Sequence, residues 1–134
     1  KALAQVLRAL RERREVAFLI DQNVQEKDGI FIRFFDRPAA ATTVVAALAV
    51  KTGCVVIGGH TQLLPSGRYR QVYDPPISWT PTGDRQADIE ALTQKLADMI
   101  EAWVRSAPEQ WLWMHRRWKT QPAALTGSGR GSSA

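Results

Sequence analysis

Five consecutive apolar residues, Val16-Ala17-Phe18-Leu19-Ile20, run without a polar break and stop at Asp21. A half-exposed strand alternates apolar and polar side chains, so an unbroken run of this length fits a strand covered on both faces. Strands of that kind belong to parallel sheets flanked by helices. The residue just past such a strand lies at the carboxyl edge of the sheet, where functional side chains collect. The rest of the chain must then supply the covering helices and further strands.

Leu3, Val6, Leu7 and Leu10 recur at helical spacing with arginines on the other side, which predicts a first helix of about 12 residues. Pro38 opens a second helix that runs to about Thr52 and is ended by Gly53. Ala, Val and Thr occupy almost every side of it, so it packs closely against a sheet. Asp84 caps a third helix, with Asp88 and Glu90 near its positive pole. The apolar stripe of that helix is Ile89, Leu92, Leu96, Met99, Ile100 and Trp103. Residues 54–63 read as a strand, Pro65-Ser66-Gly67 as a turn, and Arg68 to Tyr73 as the returning strand of a hairpin. Residues 21–38 are expected to be a long loop carrying Asp28-Gly29 and one short extended piece, Ile30 to Phe35. Pro75, Pro76, Pro81 and Gly83 form a linker. The order is that of an α/β fold, a partial mixed sheet with packed helices over residues 1–121, followed by a flexible Gly/Ser-rich tail over 122–134.

With 134 residues, 45% hydrophobic and 23% charged, the chain suits one globular domain or part of one, and disorder is excluded. Cys54 is the only cysteine, so an internal disulfide is excluded; it reads as a small buried hydrophobe in a reducing compartment. No stretch reaches the roughly 18 apolar residues that span a bilayer. The chain opens without Met inside a helical pattern, and an upstream segment is expected. The net charge of +5 is concentrated at the two ends. Lys1, Arg8, Arg11, Arg13 and Arg14 face Glu12 alone, and Arg105, Arg116, Arg117 and Lys119 face Glu109. Such ends suit a phosphate, an acidic protein or an anionic membrane surface, or form a solvated face.

Three constellations carry chemistry. Asp21-Gln22 sits at a strand end, where it either lines a cleft or caps a turn. Phe34-Phe35-Asp36-Arg37-Pro38 either walls an acyl chain, with Arg37 and a helix start near an anion, or staples its loop to the core. Trp111-Leu112-Trp113-Met114-His115-Arg116-Arg117-Trp118-Lys119 interleaves rings and cations, as phosphate recognition, cation–π stacking or a membrane interface requires, or its rings close the core. His60 and His115 are the only histidines, and the residues five positions on are Pro65 and Thr120, not acids. The sequence holds no metal cluster, no GxGxxG, no Walker loop, no nucleophile elbow and no RNA-binding motif.

Taken together, the chain resembles the bacterial lipid A biosynthesis acyltransferases (the lauroyl and myristoyl transferase type) of the lysophospholipid acyltransferase superfamily. The residues that carry the resemblance are Phe18-Leu19-Ile20-Asp21-Gln22, then 29–39 from Gly29 to Ala39 with Thr42-Thr43. Next come Pro65-Ser66-Gly67-Arg68-Tyr69, Thr82-Gly83-Asp84-Arg85, and 108–119 from Pro108 to Lys119. It departs from the pattern at Arg33 and Asp36, where Pro and Gly commonly flank the Phe-Phe pair, and near Gly58-Gly59-His60, where the strand is usually more apolar.

The resemblance implies the C-terminal half of a lysophospholipid acyltransferase-like domain on the cytoplasmic face of the bacterial inner membrane. It implies transfer of a fatty acyl chain from acyl carrier protein to a hydroxyl of a lipid A precursor, with no cofactor beyond the acyl-carrier thioester. The family's membrane helix and its His-x-x-x-x-Asp/Glu catalytic motif would precede Lys1, so this segment alone is expected to be inactive and to hold no catalytic or metal residue. Asp21, Gln22, Phe34, Phe35, Arg37 and Thr42 are implied to line the active site. Trp113, Arg116, Arg117, Trp118 and Lys119 are implied at an anionic head group or membrane interface. The alternatives are acyl transfer to another glycolipid or a lysophospholipid, or a non-catalytic basic module that binds anionic lipid; nucleic acid is not an expected partner.

Overall fold

The computed structural model describes residues 2–123, and the tail expected from residue 122 lies almost wholly outside them. Among the described residues, three α-helices and two antiparallel hairpins make a mixed α/β structure. The long helix α3, Arg85–Ser106, is its spine. Asp84 caps it as expected, its carboxylate accepting from the N–H groups of Gln86 and Ala87. One turn earlier, Thr82 donates its N–H and hydroxyl to the buried carboxylate of Asp88, which fixes how the linker enters the helix. The predicted stripe is buried at Ile89, Leu92, Leu96 and Ile100 and half-buried at Met99 and Trp103.

Two cores lie along α3. Ile89 and Leu92 pack with Ala46 and Ala49 of α2, Val44–Thr52. Ala97, Ile100 and Val104 pack with Ile32, Phe34, Ala39 and Ala41 of the first hairpin. Each large side chain buried in this way contributes about 1.5–3 kcal/mol. Gly53 ends α2 as predicted, at φ 68°, with its N–H on the Ala49 carbonyl.

The second helix begins later than the sequence predicts. Arg37–Ala41 is not helical; it is strand β2, paired antiparallel with β1, Ile30–Phe34, in the register Phe34↔Arg37 to Ile30↔Ala41. The two-residue turn between them, Phe35-Asp36, has φ 50° and 56°. Positive φ at both positions is the geometry that matches strand twist in a tight hairpin, but it normally selects Asn-Gly. Phe in that conformation costs on the order of 1–2 kcal/mol and must be held by its surroundings.

The second hairpin is as predicted, β3 Gly59–Leu63 with β4 Tyr69–Tyr73 and Gly67 at φ 78° in the turn. The predicted strand over 54–63 is regular only in its second half. Both hairpins have a free edge, and in each a glutamine closes part of it. The Gln94 amide accepts from the Arg33 N–H and donates to the Arg33 carbonyl. Gln110 does the same to Leu63. A side-chain amide thus takes the place of the missing neighbouring strand.

The apolar run before Asp21 behaves otherwise. Val16–Ile20 is not a strand: it has no regular secondary structure, and Leu19 is 86% exposed. A strand exists only where a neighbour supplies its hydrogen bonds, and none among the described residues does so. The expected single mixed sheet is therefore replaced by two separate two-stranded sheets. Helix α1, Ala2–Arg11, is amphipathic as predicted yet buries none of its residues.

Candidate functional site

The turn Phe35-Asp36 and the segment after α3 meet in one aromatic cluster. Residues 108–119 form two short 3-10 turns, Pro108–Gln110 and Trp113–His115, rather than a continuous helix. Trp111 and Trp118 reach the Phe34 ring at 5.6 and 5.8 Å between centroids, and Phe35 lies edge-on to it at 5.0 Å. Trp113 stands against Trp111 at 4.7 Å. The Trp118 indole N–H donates to the Phe34 carbonyl. Two sequence motifs 70 or more residues apart thus form one surface.

Three guanidinium groups stack on these rings: Arg37 over Trp118 at 5.0 Å, Arg105 over Phe35 at 4.5 Å, and Arg117 over Phe34 at 5.4 Å. A guanidinium held flat on a ring keeps its N–H edge free for an oxyanion. Arg37 is exposed and can present that edge; Arg105 spends part of its own on Glu101, 2.6 Å away.

Glu101 was not singled out from sequence, although its spacing to Arg105 is that of a helix pair. It accepts the Phe35 N–H at 2.7 Å and so clamps the strained turn to α3. Burial raises its pKa. The Phe35 N–H, the Arg105 hydrogen bond and the charges of Arg105 and Arg33 outweigh that, and the carboxyl titrates below its ordinary value of 4.5. A depressed carboxyl stabilises the fold at neutral pH, and that contribution is lost as pH falls through the depressed value. In acid titrations followed by tryptophan emission, the wild-type chain should therefore show an unfolding step below pH 4.5 that Glu101→Gln lacks, and the variant should be less stable at pH 7. An identical acid limb in both proteins would remove Glu101 from this role.

The predicted site residues separate into groups. Phe34, expected with Phe35 beside substrate, is 1% exposed and holds the turn to the core; Phe35 is half-buried and Trp113 is 49% exposed. Arg116 and Lys119 are exposed, whereas Arg117, expected with them at an anionic surface, is 4% exposed. Its Nη1 donates to the Ala40 carbonyl, which takes it out of the set that can reach a head group. Burial pushes Arg117 down from the ordinary arginine range, and the charge of Asp21 opposes that shift. Asp21 is half-buried and Gln22 exposed. The residues next to them are tied to the same motif, because the Asn23 amide and the Val24 carbonyl bond the hydroxyl and N–H of Thr120. Thr42 lies at the start of α2, its hydroxyl accepting the Val44 N–H.

Behind this cluster runs an apolar trough of about 1270 Å³. Residues 16–21 and 54–60 both line it, with Leu96, Met99, Ile100 and Trp103 of α3 among the other lining residues. His60 lines it too, its ring 4.6 Å from Trp103 and its Nε2 3.3 Å from the Gln62 amide nitrogen. His115 is exposed. Among the described residues neither histidine contacts a carboxylate. Among the described residues no three His, Cys, Asp or Glu side chains converge as metal ligands, and no helix is long and apolar enough to cross a membrane.

Residues 1–120 match the family described as bacterial lipid A biosynthesis acyltransferase. The lipid A biosynthesis lauroyltransferase of Escherichia coli (strain K12) is 28% identical over 126 residues, 93% of this chain and 40% of that protein. The lipid A biosynthesis palmitoleoyltransferase of the same strain is 31% identical over 119 residues, 87% of this chain and 37% of that protein. A phosphatidylinositol mannoside acyltransferase of Mycobacterium tuberculosis (strain ATCC 25618 / H37Rv) is 28% identical over 109 residues, 81% of this chain and 32% of that protein. The chain spans about two fifths or less of the length of these relatives.

Proposed function

The chain belongs to the bacterial lipid A biosynthesis acyltransferases, and from that premise we propose that it is the C-terminal part of an enzyme that moves a fatty acyl chain from acyl carrier protein to a hydroxyl of a lipid A precursor. The observation that carries this reading is the family match across residues 1–120, supported by the ring-and-guanidinium surface. Direct transfer from a thioester to a sugar hydroxyl needs a base for the hydroxyl proton, a site for the acceptor's anionic groups and an apolar wall for the chain. Arg37, Arg116 and Lys119 suit the anionic groups; Phe35 and Trp113 suit the wall. The base is assigned to a His-x-x-x-x-Asp/Glu motif in the part of the enzyme outside this chain, within a lysophospholipid acyltransferase-like domain. The working place of such an enzyme is the cytoplasmic face of the bacterial inner membrane.

A second acceptor class is favoured by one observation, the match to a phosphatidylinositol mannoside acyltransferase. Both acceptors are anionic glycolipids, which the same arginines would serve. Mass spectrometry of products from the full-length enzyme, offered a lipid A precursor and phosphatidylinositol mannoside side by side with acyl carrier protein thioester, decides between them. Acylation of neither would reject the proposal.

Asp21 is assigned a positioning role at the cleft edge, next to Arg117. In the full-length enzyme Asp21→Asn should lower turnover at least tenfold, about the least that misplacing a reacting group costs. A folded mutant with wild-type turnover would count against that role. The surface cations predict a separate effect. Each lysine or arginine close to an anionic bilayer contributes about 1 kcal/mol. Replacing Arg37, Arg116 and Lys119 together by Gln should therefore weaken binding to anionic liposomes at least tenfold in low salt, with the gap closing as salt rises. Equal binding at every ionic strength would leave these cations as solvated surface.

A further inference from the structure

Two segments that line the trough, 16–20 and 54–58, share a property that an apolar ligand cannot satisfy. No backbone N–H or carbonyl of Val16–Ile20 makes a hydrogen bond among the described residues. Along the other segment, the Val56 and Gly58 carbonyls accept from the N–H groups of Ile77 and Asp74, both at 2.9 Å. That two-residue period is the period of an extended strand. It sets the backbone groups of Val55 and Ile57 on the other side of this segment, and they too have no partner. Leu19, Val55 and Ile57 are 86, 70 and 54% exposed. His60 Nδ1 and Trp111 Nε1, whose residues also line the trough, are buried without a hydrogen-bond partner.

An acyl chain would cover the apolar side chains but offers no donor or acceptor along its length. Each backbone group it buried would be left unpaired, at about 1–3 kcal/mol. A β-strand supplies a donor and an acceptor at every residue, about 3.3 Å apart along the chain. The free edges of the two hairpins are partly closed by Gln94 and Gln110, while these two segments have no such cover. The unbroken apolar composition of Val16–Ile20 is also that of a strand with neighbours.

We propose that the trough is a strand-docking slot, filled by an apolar β-strand from the three fifths of an acyltransferase polypeptide that lies outside the match, so that residues 16–20 and 54–58 join one sheet through it. The source of that strand rests on the acyltransferase reading. The slot itself rests on the unpaired groups.

Hydrogen–deuterium exchange tests it with two proteins, the 134-residue chain and a chimera in which this chain replaces the 126 matched residues of the E. coli lauroyltransferase. Peptides covering 16–20 and 54–58 should exchange freely in the chain and at least a hundredfold more slowly in the chimera. Laurate, the acyl probe, should leave them fast in the chain. Slow exchange in the monomeric chain alone, protection by laurate, or protection that rises with chain concentration would each overturn the slot, the last by making a second copy the occupant. None of those three readings needs the chimera. Equally fast exchange in a folded chimera overturns it as well. Acyl transfer by the same chimera is scored separately: protected amides without turnover support the slot and count against the acyltransferase reading, and turnover with unprotected amides does the reverse.

Discussion

Given acyl carrier protein thioester and a lipid A precursor, the 134-residue chain on its own is expected to show no acyl transfer above the uncatalysed rate. The acceptor hydroxyl must lose its proton as the new ester bond forms, and a positioned base accelerates that step by roughly a hundred to ten thousand. A histidine does this well when a carboxylate orients its ring and stabilises the imidazolium. The chain has two histidines. The His60 ring is packed on Trp103, its Nε2 beside Gln62 and its Nδ1 buried without a partner. Asp74, on the far side of Trp103 in this network, accepts the Trp103 indole N–H at 2.8 Å. His115 stands exposed in a short turn with no acid against it. Turnover by the isolated chain that His60→Ala or His115→Ala abolishes would overturn this expectation, because it would put a working base within these residues.

What sequence periodicity could and could not reveal follows from where each signal resides. Asp84, Gly53 and the Pro65-Ser66-Gly67 turn act on backbone within a few residues of themselves, so the caps and the second hairpin are legible from local sequence. The first hairpin is not, because its turn uses Phe35-Asp36 where a reader looks for Asn-Gly, and Pro38 mimics a helix start. The turn is stabilised from a distance, by the Glu101 carboxylate on the Phe35 N–H and by Arg105 over its ring. Val16–Ile20 differs from its expected strand for the opposite reason: its composition is that of a strand between neighbours, and no described residue pairs with it. Of the candidate site, the ring-and-cation character is legible, but the inward turn of Arg117 is not. Arg116 and Arg117 are adjacent in sequence, yet the first is exposed and the second buried, with a left-handed backbone at Arg116, φ 47°.

Phe34→Ala should cost about 3–5 kcal/mol, the range for truncating a buried aromatic side chain. The position joins three parts of the molecule, the first hairpin, α3 and the C-terminal aromatic motif. Its side chain, 1% exposed, packs in the core with Ala97, Ile100 and Val104 of α3. Its ring faces those of Phe35, Trp111 and Trp118, pairs worth about 0.5–1.5 kcal/mol each beyond their buried area. The Arg117 guanidinium covers it at 5.4 Å. Removing the ring leaves a cavity under the strained turn and takes away a contact of the buried Arg117, which also donates to the Ala40 carbonyl. Urea unfolding should show a lower midpoint at unchanged slope, and a domain of ordinary stability, about 5–15 kcal/mol, would survive with little margin. Phe34→Leu, which keeps most of the apolar volume but no ring, should lose much less. If the two variants were equally destabilised, ring geometry rather than volume would be what this core requires. If neither lost as much as 1 kcal/mol, the aromatic cluster would not hold the hairpin to the C-terminal motif at all.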